Sequence, residues 1–236
     1  MPLVAILLVK GFHLPMLAGV ALIALSLAPM PPVAPKAMIN AGGEASYAAG
    51  LLSLTAIISL VWIPLAIELI EPIFGIDVEV RPGPLVPTVL ATIVVPLIAG
   101  ALLRRLAPAL ADRIHDPVAA IAGVALALCL VILVAVNWRG MAAQLQGGVL
   151  IAILLFVGAG LLVGHLLGGP REDDRTVLAL ASAQRHPGIV VVLGKMAAPD
   201  ESGIGLVSLV VLLASTVACL PYIAWRKRSG GYGLAR

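Results

Sequence analysis

The sequence predicts an all-α membrane protein, a polytopic helical bundle in which two helices are broken and cross. Three observations predict it. Of 236 residues, 61% are hydrophobic and 11% charged, where soluble domains carry about 25% charged residues, and the mean hydropathy is +1.11. The charges that remain fall between long apolar runs. Two of those runs are interrupted by cationic, proline-bearing stretches, Pro29-Met-Pro-Pro-Val-Ala-Pro-Lys36 and Gln184-Arg-His-Pro-Gly188. Pro29, Pro31, Pro32 and Pro35 cannot share one continuous helix, because each removes a backbone donor and crowds the preceding turn. Broken backbone at membrane depth is tolerated only where protein or a wet cavity surrounds it. Two cationic breaks therefore point to one central site.

Taken in order, Leu3 to Val9 is too short to span and reads as the tail of a helix. Lys10 follows that apolar stretch instead of preceding it, which is not the pattern of a secretory signal. Leu14 to Ala28 reads as a half-helix, Pro29 to Pro35 as non-helical, and Lys36 to Gly42 as a second short helix. Gly42-Gly43-Glu44 makes a turn into the span Ala45 to Ile67, which ends near Trp62, Pro64 and Glu68. Glu71 to Pro84 is a polar loop, Leu85 to Leu103 a span kinked at Pro96, and Arg104 to Asp116 a basic loop. Val118 to Val136 spans and ends at Asn137-Trp138-Arg139. Gly148 to Leu167 spans with Gly158, Gly160 and Gly164 at the spacing that lets helix backbones approach. Gly168 to Arg175 is a charged turn, and Thr176 to Ala183 and Ile189 to Ala197 flank the second break. Pro199 to Glu201 turns into the last span, Ile204 to Trp225.

With the C-terminal tail cytoplasmic, that side holds Arg104, Arg105, Arg113, Arg171, Arg175, Arg226, Lys227, Arg228 and Arg236. The other side holds Lys10, Arg81, Arg139 and Lys195. Nine against four follows the positive-inside rule and predicts a multi-pass protein of the cell (inner) membrane with its C-terminus inside. The net charge of +3 belongs to loops and tail and speaks to topology and lipid, not to nucleic acid. Cys129 and Cys219 lie in apolar runs without CxxC spacing, so neither a disulfide nor a thiolate metal site is expected.

A broken helix followed by one full span occurs at Leu14–Ile67 and again at Thr176–Trp225, with three spans between. Five crossings separate the two breaks, so the broken helices run in opposite directions, the pattern of an inverted-repeat secondary transporter. The expected organisation is one transmembrane domain, with residues 1–70 the remainder of a first repeat that is incomplete at its N-terminus and 71–236 the second.

The second half-helices start at Pro35 and Pro187, so free amides and positive dipole ends face each break. Lys36 and Arg185 add like charge there, and no Asp or Glu lies within a span to offset it. A bound small organic anion is the simplest partner. Lys36, Asn40, Gln184, Arg185 and His186 are thus the candidate substrate-binding residues, with Pro31, Pro32, Pro35, Pro187 and Gly188 as helix-breaking residues. Lys36 is also read as snorkelling to water, and His186 as a hydrogen-bonded structural histidine or a proton carrier.

At Pro31-Pro32 and Gln184…Gly188 the chain resembles the bile acid:sodium symporter family, which shares its fold with sodium/proton antiporters. The resemblance implies unwound fourth and ninth helices at Leu14–Gly42 and Thr176–Ala197, crossing in the core, and fifth and tenth helices at Ala45–Ile67 and Ile204–Trp225. It also implies sodium coupling through a Ser or Asn after the first break, hydroxyls on the fifth helix and a Glu beside the second break. The matching region here has Ala34, Pro35 and Lys36, then Ala48 and Leu52, and Ala181. No cofactor or metal is expected, and the coupling expected is to protons, or none, with the fixed cations standing where family members bind sodium. Other readings are a truncated, inactive or accessory paralogue, and a cation/proton antiporter of the same fold, which would want an intramembrane carboxylate. An embedded enzyme is not expected, since no GxSxG, HExxH or intramembrane aspartate occurs.

Overall fold

A computed structural model describes residues 1–74, 82–198, 201 and 203–230. These form helices α1 (Pro2–Gly11), α2 (Met16–Leu27), α3 (Ala34–Asn40), α4 (Ala45–Phe74), α5 (Pro82–Val89), α6 (Val95–Leu106), α7 (Pro108–Ala143), α8 (Val149–Leu167), α9 (Glu172–Ala183), α10 (Pro187–Ala197) and α11 (Ile204–Gly230). A π-helical turn, Leu90–Val94, joins α5 to α6. No strand occurs among the described residues, and six helical stretches are long and apolar enough to cross a membrane. The protein is an all-α polytopic membrane protein.

Small residues set the closest packing. α8 and α9 form the most extensive helix pair in the molecule. A Cβ on Gly160 would sit 2.7 Å from the Ser182 carbonyl oxygen, and one on Gly164 2.5 Å from that of Leu178. The backbones are in direct contact, as the glycine spacing predicts. Gly158 takes no part, with nothing within 4 Å of its missing Cβ. α2 runs through the centre against α1, α10 and α11, while α3 lies against α4 and α9. α4 buries one stripe, Ala48, Leu52, Ala56, Ser59, Ile63 and Ala66, at the three-and-four spacing of a single helix face. By contrast α6 and α7 bury no residue at all. Their apolar side chains face outward, which in a bilayer is their ordinary solvent.

Four sequence expectations need correction. Arg104 to Asp116 is not a loop, because only Ala107 leaves helical geometry (φ −140°, ψ 67°) before Pro108 starts α7. Proline is favourable at a first turn, and Arg104 pairs with Asp112 across the bend. Charge ends a span without ending a helix, so α7 runs 36 residues, about 54 Å, against a hydrocarbon core of about 30 Å. Second, the disturbance near Pro96 is the π turn just before it. The ring has no donor and crowds the carbonyl four residues back, and one wider turn makes room. Third, α4 continues through Pro64 as far as Phe74. Fourth, Glu172 to Arg175 is not turn but the first turn of α9, whose acidic side chains suit a helix N-terminus. Of the Glu71–Pro84 loop, residues 71–74 belong to α4 and 82–84 to α5, while residues 75–81, and 199–200 of the Pro199–Glu201 turn, lie outside the described residues.

The Gly42-Gly43-Glu44 turn is present. Gly42 adopts φ 87°, and the Glu44 carboxylate accepts hydrogen bonds from the Ser46 amide (3.0 Å), the Tyr47 amide (2.5 Å) and the Ser46 hydroxyl (2.7 Å). Glu44 thus satisfies amides at the start of α4 that have no partner within the helix.

Candidate functional site

The first helix ends where Ala28 turns extended (ψ 142°), and helical structure resumes at Ala34. α9 ends at Gln184, also extended, and α10 starts at Pro187. The two interruptions touch. The His186 amide donates to the Pro29 carbonyl at 2.9 Å, and an Arg185 Nη1 donates to the Ala28 carbonyl at 3.2 Å. Backbone groups freed by one break are therefore satisfied by the other, as a low-dielectric surrounding requires.

This changes the electrostatics expected from the sequence. Ala28 lies at the C-terminal, negative end of α2, so the Arg185 guanidinium is partly offset by that half-helix. The offset is incomplete. Arg185 Nε is buried and without a hydrogen-bond partner, and no carboxylate pairs with Arg185 among the described residues. A guanidinium has five N–H donors and stays charged, so several go unused here. Arg185 is half-buried and lines a cavity.

That cavity has a volume of about 230 Å³. Ser26, Leu27, Ala28 and Pro29 line it from the end of α2, and Leu54, Thr55, Ile58, Ser59 and Trp62 from α4. Met1, Pro2 and Arg185 complete the wall. Of the residues singled out in the sequence, only Arg185 lines it. His186 instead caps α10, its Nδ1 accepting from the Gly188 amide at 3.1 Å, which places the ring proton on Nε2. Gln184 lies beside the Cys219 thiol. Lys36 is exposed on α3, with Nζ 3.5 Å from the Ala119 carbonyl of α7, and Asn40 is exposed at the end of α3. Pro31 is buried and its carbonyl accepts from the Ala34 amide at 3.0 Å, Pro32 is exposed, and Pro35 lies in the first turn of α3.

Ser26, Thr55, Ser59 and Trp62 were not anticipated. The signal existed: Thr55 and Ser59 are four residues apart on the face that α4 buries, and Ser26 immediately precedes the first break. Ala48 and Leu52, the positions the family resemblance points to on this helix, lie earlier on the same buried face, one and two turns before Thr55 and Ser59.

The model of the sodium bile acid symporter family matches residues 1–144. The chain belongs to the sodium bile acid symporter family. The match takes in α1 to α7, so membership is carried by the first break and the helices that follow it, and not by Gln184–Gly188. No curated protein sequence matches the chain. Family membership makes this a member of a transporter family, consistent with its being no enzyme.

A second enclosed arginine in this symporter-family protein behaves differently. Arg226, counted from sequence as a tail cation, is only 5% exposed. Its Nε donates to Thr176 Oγ1 (2.8 Å), Nη1 to Glu172 Oε2 (2.6 Å) and Nη2 to the Glu172 carbonyl (3.1 Å), while the guanidinium lies 5.4 Å from the Trp225 ring centre. His165 and Tyr222 hydrogen-bond alongside at 2.8 Å. The cluster ties α8, α9 and α11 together.

Proposed function

We propose that the protein is a secondary carrier of a small organic anion, with the substrate carboxylate held by Arg185 where the two broken helices cross near the middle of the bilayer. The observation that carries this is Arg185 lining a cavity beside the two breaks, with one carbonyl bond and no carboxylate partner among the described residues. A guanidinium held away from bulk water without a counter-charge is costly, and a carboxylate entering the cavity offsets that cost. Binding at the junction of discontinuous helices, with one bundle rocking against the other, is how inverted-repeat carriers alternate access. The arrangement in the cell membrane has the C-terminus cytoplasmic, supported by the distribution of Lys and Arg.

Coupling follows from the same residue. Arg185 sets a permanent cation against the negative end of α2, where a mobile cation would otherwise be favoured. A sodium ion beside it would meet like charge, so the carrier works as a proton-coupled porter or a facilitator. Uptake by purified protein in liposomes tests both parts. Arg185→Gln abolishes uptake of every carboxylate that the wild type carries, and a sodium gradient leaves wild-type uptake unchanged. Carboxylate uptake independent of Arg185 sinks the anion site, and sodium-driven uptake sinks the coupling claim.

A further inference from the structure

The hairpin built from α5, α6 and α7 is packed along one half and loose along the other. On α5 and the π turn that follows it, Val89 and Ile93 are buried, whereas beyond Val94 neither α6 nor α7 buries a residue. The roots of the hairpin are held. α5 lies against α4 and α10, and the π turn against α4. At the other root, a Cβ on Gly140 would sit 2.8 Å from Leu206 Cδ1 of α11. The far half has little to hold it. α6 packs on α7 there. Among the described residues one hydrogen bond joins residues 95–139 to the rest of the molecule, from Lys36 Nζ to the Ala119 carbonyl at 3.5 Å. In a bilayer no hydrophobic force presses apolar helices together, so packing and hydrogen bonds must do it. Here both are sparse.

We propose that residues 95–139 form a flap that swings on two hinges, the π turn Leu90–Val94 at one root and Gly147–Gly148 at the other, with Lys36 as its catch. Each hinge has the chemistry for it. Pro96 offers no N–H to the turn before it, so the helix ladder is already open there, and a π turn is a common place for a helix to bend. Gly147 and Gly148 have φ of 62° and 80°, a backbone that glycine adopts without strain. At the far end Arg104 pairs with Asp112 across the bend, so the end of α6 and the start of α7 travel together. The 3.5 Å contact of Lys36 is long for a hydrogen bond and easily released. Lys36 stands on α3, the half-helix that resumes after the first break, so the catch joins the flap to the crossing of the two breaks. A change of about 20° at the π turn carries the far end of α6, 12 residues and about 18 Å away, through about 6 Å. This motion differs from the rocking of a whole bundle, in which root and far end shift alike, and it stands whatever the protein carries.

Double electron–electron resonance on the full-length protein in nanodiscs tests this, with Cys129→Ala and Cys219→Ala to remove the native thiols. One spin-label pair, Leu110→Cys with Leu167→Cys, spans the far end of the flap, and a second, Leu69→Cys with Ala142→Cys, spans its roots. All four positions are exposed. Expected is a far-end distribution with two components about 6 Å apart and a single narrow one at the roots. Pro96→Ala lets the ladder close and collapses the far-end distribution to one component. Lys36→Met removes the donor of the catch and raises the share of the longer distance about threefold, leaving the root pair unchanged. A single narrow far-end distance that neither variant moves overturns the flap. Root and far-end distances that broaden together also overturn it, in favour of a rigid hairpin. Two far-end components that persist in Pro96→Ala overturn the π turn as the pivot. If a variant does not fold, the two wild-type distributions decide alone.

Discussion

Arg226 is held against the start of α9 and Arg185 follows its end, and their surroundings are opposites. At Arg226 the guanidinium has a carboxylate, a hydroxyl and a carbonyl, and rests on an indole. At Arg185 it has one carbonyl, an unmet Nε and an empty volume beside it. The first arrangement satisfies a buried cation so fully that it fastens three helices. The second leaves it under-satisfied, a cost a fold tolerates when a ligand completes the site. A charged side chain inside a membrane protein is therefore judged by its spare valence and not by its burial.

The contrast can be broken by mutation. The largest effect is expected at the satisfied site, where Arg226→Gln loses a charged pair and two further hydrogen bonds and lowers unfolding stability in detergent by about 2–3 kcal/mol. Arg185→Gln keeps a donor for the Ala28 carbonyl and removes the orphaned group, so stability stays within about 1 kcal/mol of wild type while carboxylate binding is lost. Equal destabilisation by the two variants would erase the distinction drawn between them. A sharper test converts one environment into the other. Thr176→Val keeps the side-chain shape but leaves Arg226 Nε without its acceptor, and costs about 1 kcal/mol without creating carboxylate binding, since the Glu172 carboxylate still pairs with the guanidinium.

The smallest effect lies outside the membrane, at the start of α4. The Ser46 hydroxyl and the Tyr47 and Ser46 amides hold the Glu44 carboxyl below the usual glutamate value. A depressed folded-state value means that the carboxylate stabilises the fold above its unfolded value, near pH 4.3, and that this contribution fades as pH falls through the lower folded value. The thermal midpoint of Glu44→Gln should fall less than that of the wild type on acidification from pH 5 to pH 3. Identical slopes would show that the capping bonds do not select the charged form.

Much of this was legible before any coordinates. The apolar helices, the two interruptions, the turn at Gly42–Glu44 and the tight α8–α9 contact follow from where prolines, glycines and charges fall. Arg185 was legible too, as a cation flanked by apolar residues. Lys36 and Asn40 were grouped with it because both follow a break, yet α3 turns them outward, and sequence distance from a proline does not report on which face a short helix buries. Thr55 and Ser59 were passed over because their helix was compared at the wrong turns. Arg226 was misread as a tail charge because its partners, Glu172 and Thr176, lie some fifty residues earlier.

By itself the amino-acid sequence determined that the chain lives in a bilayer and that its helices break at Pro29–Pro35 and near Pro187, because hydropathy and proline chemistry act locally along the backbone. Only the tertiary structure decided which cation finds its partners and which keeps an unused donor. That depends on how distant helices meet, and hydrogen-bond satisfaction is a property of the neighbours in space.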